Sequence, residues 1–371
     1  MHCYFREGWL AMNAASKCYP WVVLHTTIGS REWGSVLDAK HITERAKSPV
    51  FVMGCHRSGT NLLYDTLLSA GGFAVYSGYL PVHKILIPRF GPFHKLENRK
   101  KAVAVWLRSK GFRRSDLDPQ KFSERVLGEC RNGGDFIRIT MDEIAQNQGV
   151  SRWAVYDPDA VLHVPRIKAD IPEALFIHII RDGRDIALSL NKMGGFRPFP
   201  WAGKSRNLLA TALYWEWMVG KGRYHGQQIP GDYIEIHYED LVAHPRRTLA
   251  TLSKFLDHDL DYDRIQRTGL GRLRESNSSF LEDSKEAQQN PVDRWKSRLS
   301  AEEINALEAL VGDRLEECGY LLTTPERNRN LRARHRIMRN FYPAFLDAKV
   351  WLRTRTLVGR FADLSVLELT S

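Results

Sequence analysis

Apolar residues along this chain gather into short runs that alternate with longer, spaced patterns. Residues 49–53 and 175–180 are brief apolar runs of strand length, and 233–237 reads as a further strand. Spaced apolar positions predict helices over 59–69, 184–192, 211–221 and 245–256, with Gly71-Gly72 stopping the first. The helix at 211–221 carries Tyr214, Trp215, Trp217 and Met218, an aromatic face of the kind that packs into a core. Residues 94–126 are helical and basic with a break at 115–119, and a last helix runs from about Leu299 to Gly319-Tyr320. Residues up to about Lys47 have no strong periodicity and read as an extension. Strands alternating with helices predict an α/β fold: a mainly parallel sheet flanked by helices, with ligand loops at the carboxyl ends of its strands.

The first strand leads into Gly54-Cys55-His56-Arg57-Ser58-Gly59-Thr60-Asn61. Gly54 and Gly59 have the spacing of the phosphate loop G-x-x-x-x-G-K-[ST], but Thr60 stands at its Lys and Asn61 at its hydroxyl residue. In a nucleoside-triphosphate enzyme that Lys holds the β and γ phosphates and the hydroxyl holds Mg²⁺. A P-loop nucleotide kinase is therefore the least favoured reading, and no metal is implied. What remains is an anion cradle in which Arg57 offers a guanidinium fork and the backbone N–H groups of residues 58–61 open a helix.

A second basic segment follows the run at 175–180: Arg181-Asp182-Gly183-Arg184-Asp185-Ile186-Ala187-Leu188-Ser189. Ser189 comes eight residues after Arg181, about two helical turns on, so both can address one phosphate. Together the two segments resemble the paired signature of sulfotransferases, enzymes that move a sulfuryl group from 3′-phosphoadenylyl sulfate (PAPS) to an acceptor and release the nucleotide PAP. The resemblance implies that Arg57, Ser58, Gly59, Thr60 and Asn61 bind the 5′ end of PAPS, and that Arg181 and Ser189 bind its 3′ phosphate. His237-Tyr238-Glu239-Asp240-Leu241 is similar to a third family segment, whose Tyr lies near the nucleotide. Arg294-Trp295-Lys296 resembles the last lobe, where a loop, here residues 276–290, closes over the nucleotide and brings Trp295 to it. The likeness covers about residues 49–320.

Sulfuryl transfer from a neutral hydroxyl needs a base, and a group that meets the charge growing on the leaving oxygen. Pro81-Val82-His83-Lys84-Ile85-Leu86-Ile87-Pro88-Arg89 resembles the Glu-bearing segment of tyrosylprotein sulfotransferases and places His83 at their catalytic Glu. An imidazole with an ordinary pKa of ~6.5 suits that role. At Val155-Tyr156-Asp157-Pro158, Tyr156 occupies the place of the family Lys, and a phenol carries no charge at neutral pH. Stabilisation of the transition state then falls on Arg57, Lys84 or the backbone cradle, with Lys168 a substitute only where the chain returns to the site. A catalytically weak or inactive PAP-binding relative is the alternative that Tyr156 leaves open.

Composition changes this picture in two places. With 371 residues, 43% of them apolar, the chain is long enough for a large α/β domain. Its five cysteines include no C-x-x-C pair, and neither a signal peptide nor a membrane-length apolar run is visible, so a cytoplasmic, reducing setting is expected. The formal net charge is +11, but residues 326–360 alone hold ten Arg or Lys against Glu326 and Asp347, a net +8. The excess is thus a property of the tail, and no nucleic-acid partner is expected. Phe341, Tyr342, Phe345, Leu346, Val350, Trp351 and Leu352 interleave with these cations. The tail is expected either to meet an anionic membrane surface or acidic acceptor, or to pack as a helix on the main domain. The organisation expected is an extension (1–48), a sulfotransferase domain (49–325) and a basic appendage (326–371). The acceptor stays open among carbohydrate, glycolipid, peptide and small alcohol.

Overall fold

Strands β1 (Val50–Met53), β2 (Ala154–Tyr156), β3 (Leu175–Ile180) and β4 (Tyr233–His237) form one parallel sheet in the computed structural model, in the order β2-β1-β3-β4. The structure describes residues 45–193, 207–273, 292–325 and 333–369. Nearly all of the expected extension and all of the 276–290 loop lie outside them. Every residue of β1 and β3 is buried, as in strands covered on both faces.

The helices used below are α1 (Thr60–Ser69), α2 (Gly133–Asn147), α3 (Gly183–Lys192), α4 (Leu208–Gly226), α5 (Pro245–Leu256), α6 (Ala301–Glu317) and α7 (Ala333–Arg355). The basic stretch after residue 94 divides into Leu96–Trp106, Lys110–Arg113 and Pro119–Glu129, with Asp118 capping the third across the expected break. Strand alternation sorts the core. Val50, Val52, Leu175, Ile177 and Ile179 pack with Leu63 and Leu67 of α1 and Leu252 of α5. Phe51, Met53, Phe176 and Ile180 turn to the other face, toward Ile137 of α2 and Trp215 and Met218 of α4.

His178 falls on that second face. A Cβ at Gly222 would come within 2.4 Å of its Cε1, so only glycine admits the ring. The Tyr233 hydroxyl lies 2.7 Å from its Nδ1, and burial lowers its pKa to about 4, which leaves the imidazole neutral.

Strand order fixes where a ligand can sit. The chain passes from β1 to β2 on one side, then crosses back to β3 on the other, so the segments leaving β1 and β3 diverge around a crevice. The Gly54–Gly59 loop segment leaves β1 there, and Arg181 leaves β3 beside it. The tail helix joins the same body. Tyr342 and Leu346 of α7 are buried, and Asp347 accepts a 2.9 Å hydrogen bond from Trp217 Nε1 and pairs with Lys221 at 2.8 Å.

Candidate active site

The loop after β1 is shaped by close approach. A Cβ at Gly54 would lie 2.4 Å from the Ile179 carbonyl oxygen, so β3 can abut the loop only at a glycine. Arg57 adopts a φ of 76°, a left-handed conformation that non-glycine residues rarely keep without support. Gly59 (φ +93°) opens α1, and a Cβ there would come within 2.3 Å of Tyr238 Cδ2. The first N–H groups of α1 have no carbonyl of their own helix to bind.

Two guanidinium groups meet at this loop. Arg57 Nε donates to Ser189 Oγ at 3.0 Å. Arg181 donates from Nη1 to the Arg57 carbonyl at 3.2 Å and from Nη2 to Asp185 Oδ2 at 3.3 Å. Its guanidinium lies 4.4 Å above the Tyr238 ring, and its own carbonyl accepts a 3.0 Å hydrogen bond from Trp215 Nε1 of α4. Glu239, next to Tyr238, accepts from the Asp182 N–H at 3.0 Å and from the Tyr320 hydroxyl at 3.0 Å, which ties the end of β4 to the end of β3. The Trp295 N–H binds Asp185 Oδ1 at 3.0 Å, and its ring lies 3.8 Å from the Arg184 guanidinium. Burial raises the pKa of Asp185, with Arg181 opposing it.

The donor set suits a phosphate or sulfate oxygen. Ser58 is fully buried and its Oγ has no hydrogen-bond partner, a state that costs about 1–3 kcal/mol until an acceptor or donor arrives. Thr60 is buried and hydrogen-bonded to Tyr156, whose phenol burial pushes up to about 12. Asn61 is exposed. It lines a cavity of about 580 Å³ together with Tyr79, Lys110, Arg114, Tyr156 and Glu368.

A second cluster occupies the ends of β1 and β2. Burial by itself would raise the pKa of Asp159, but Lys84, whose Nζ binds Oδ2, and His56, whose Nε2 lies 3.6 Å from Oδ1, hold it well below the usual carboxylate range. Asp157 accepts a 3.1 Å hydrogen bond from the Asp159 N–H. Burial, and then the charge on Asp159, push Asp157 up to about 7. The Tyr79 hydroxyl is buried near both carboxyls, and burial raises its pKa well above the ordinary value. The His56 side chain keeps 32% of its surface exposed.

Residues 49–262 match the family model described as the sulfotransferase family. The chain belongs to the sulfotransferase family. Over 102 residues it is 29% identical to a putative protein-tyrosine sulfotransferase of Caenorhabditis elegans, a stretch covering 27% of this chain and 38% of that protein. Over 126 residues it is 28% identical to a putative protein-tyrosine sulfotransferase of Caenorhabditis briggsae, covering 33% and 44%. The chain thus spans about two-fifths of the length of these curated relatives. The sulfotransferase domain of the Synechococcus PCC 7002 olefin synthase has a similar fold, with a TM-score of 0.50 at 19% identity over 74% of this chain and 96% of that domain.

Within the sulfotransferase frame, the residues expected from sequence fall into three groups. Arg57, Gly59, Arg181, Ser189 and Tyr238 come together, with Ser58, Thr60 and Asn61 following along the loop and α1. Trp295 reaches the cluster through Asp185 and is itself buried. His83 lies apart from these contacts. Its ring centroid is 6.1 Å from that of His163, a Cβ at Gly133 would come within 2.6 Å of its Cε1, and its buried Nε2 has no partner. Burial, and then His163, lower its pKa to about 3. Lys168 does not return to the site. Its Nζ holds Asp232 at 2.6 Å and the Ala174 carbonyl at 3.2 Å, before the amino ends of β3 and β4. Sequence reasoning passed over His56, Asp157 and Asp159. The available signals were a histidine adjoining Arg57 in the loop and an Asp-Pro-Asp triplet directly after Tyr156.

Proposed function

We propose that this protein transfers a sulfuryl group from PAPS to the hydroxyl of an acceptor. The observation that carries this reading is the contact between Arg57 and Ser189, which unites two anion-binding segments from different parts of the chain. PAPS supplies the sulfuryl group and a phosphate leaving group. Arg57, Ser58, Gly59, Thr60 and Asn61 would hold its 5′ end, and Arg181 and Ser189 its 3′ phosphate. Tyr238 supports the Arg181 guanidinium from below, and Trp295 fixes Asp185 behind it.

His56 is the better candidate for the base than His83. It adjoins Arg57, keeps part of its ring in solvent, and has the Asp159 carboxylate 3.6 Å from Nε2. Such pairs close to hydrogen-bond distance when substrate binds, and the carboxylate then orients the imidazole and stabilises the cation formed as it takes the acceptor proton. His83 is buried, and a pKa of about 3 makes it a weak base. With Tyr156 neutral, Arg57 meets most of the charge developing on the transferred group.

The cavity beside Asn61 adjoins this site through Asn61 and Tyr156 and offers room for part of a bound ligand. Lys110 and Arg114 line it with Tyr79 and Tyr156, and Glu368 of the chain itself sits on Lys110 at 2.5 Å. Asp65 and Glu368 balance the two cations, so the lining is polar without net charge and suits a hydroxyl compound held by hydrogen bonds. The test is transfer of radiolabel from PAPS to a panel of phenols, alcohols, glycans and peptides. Label in an acceptor with wild type and only background with Arg57→Ala supports the reading. Binding of PAP without transfer to any acceptor selects the inactive relative, for which Tyr156 in place of Lys is the specific ground.

A further inference from the structure

Helix α7 has two apolar faces, and the fold uses one. Tyr342 and Leu346 are buried, whereas Ile337, Phe341 and Trp351 stay more than half exposed and Leu352 is 41% exposed. At 3.6 residues per turn, positions 337, 341, 344, 348, 351 and 352 share an arc of roughly 100°, with Ala344 and Ala348 filling the middle. The apolar ridge continues past the helix. Leu357, Val358 and Phe361 are all more than half exposed in the turn that follows.

Cations border this ridge. Residues 333–361 hold seven Arg or Lys against one acid, Asp347; Arg339 is paired with Glu216 of α4 and Asp313 of α6, while Arg336, Arg355 and Arg360 stay exposed. Asp347 is already engaged by Trp217 and Lys221, so it does not offset the exposed Arg336, Arg355 and Arg360. Exposed apolar surface of this extent, rimmed by charge, marks a contact site. No helix among the described residues is long and apolar enough to cross a membrane.

We infer that α7 and its following turn seat this protein on an anionic lipid surface, with the Ile337–Phe361 ridge entering the headgroup region and the arginines meeting lipid phosphates. Aromatic and aliphatic residues on one side of a basic helix are the composition of an interface-lying helix. A second copy fits less well, because a two-fold contact would bring the exposed Arg336, Arg355 and Arg360 of one copy toward those of the other. Nucleic acid fits less well again, because the ridge between the cations is apolar.

Sedimentation of the full chain with phosphatidylcholine vesicles, alone or mixed with phosphatidylglycerol, tests it. Wild type is expected to sediment with the anionic vesicles, at least about tenfold more weakly with the neutral ones, and less as salt is raised. Phe341→Ser with Trp351→Ser should cut anionic binding about tenfold or more, while the melting temperature holds. Should that pair fail to fold, Arg336→Glu with Arg355→Glu must remove the salt-sensitive part of binding. Wild type left in the supernatant at low salt, binding indifferent to lipid charge, or full binding by either folded double variant overturns the proposal. So does light scattering that shows a vesicle-free dimer which Phe341→Ser/Trp351→Ser converts to monomer.

Discussion

Arg57 Nε donates a 3.0 Å hydrogen bond to Ser189 Oγ across 132 residues of sequence. The contact closes the crevice between the loop after β1 and the helix after β3, and it presets one guanidinium before any ligand arrives. Ser189→Ala should leave the fold intact and weaken PAP binding by about 1–2 kcal/mol, some 5- to 30-fold, as measured by calorimetry. Unchanged affinity would detach Ser189 from the donor site.

Gly59→Ala should be costly for two separable reasons. Its φ of +93° strains any side chain, and its Cβ would meet Tyr238 Cδ2 at 2.3 Å. A loss of about 2 kcal/mol or more in denaturant unfolding is expected. Adding Tyr238→Ala should relieve the clash and return only part of that loss.

The two histidines are distinguished by kinetics. His56→Gln should lower kcat about 10²- to 10⁴-fold and leave PAP affinity within about twofold. His83→Gln should lower stability by about 1–3 kcal/mol, because the buried ring is packed against Gly133, and leave kcat within about twofold. The reverse pattern would return the base to His83.

His178 gives a signed pH dependence. Burial lowers its pKa to about 4 in the folded state, against ~6.5 when unfolded. Below ~6.5 the unfolded chain binds a proton that the native state refuses, so this contribution to stability is present above ~6.5 and is lost as pH falls toward 4. Relative to His178→Gln, wild type should lose about 1.4 kcal/mol per pH unit across that window. Parallel stability curves for the two proteins would show that His178 titrates normally.

The sequence made the frame legible where elements are long or strongly marked. Leu175–Ile180 and Pro245–Leu256 lie where their patterns place them, and both glycine-framed and arginine-led segments converge at one crevice. Ala154–Tyr156 is too short to stand out as a run, and Gly133-Gly134 masks the start of α2, which a capping box between Asn132 and Asp135 nonetheless secures. The cluster of His56, Lys84, Asp157 and Asp159 was hidden because its members come from three separate segments. His83 occupies a suggestive place in a motif, but its burial beside Gly133 is a property of packing that no local pattern records.

The central claim is that Arg181 helps to hold a 3′ phosphate in a site that also grips the 5′ end. Calorimetry with PAP and with adenosine 5′-monophosphate, which lacks that phosphate, tests it most directly when wild type is compared with Arg181→Ala. Wild type should prefer PAP by about 1.5–3 kcal/mol, roughly 10- to 150-fold, and the substitution should erase the preference while the protein stays folded. Equal binding of the two nucleotides by wild type, or no PAP binding by the folded protein, would contradict the account.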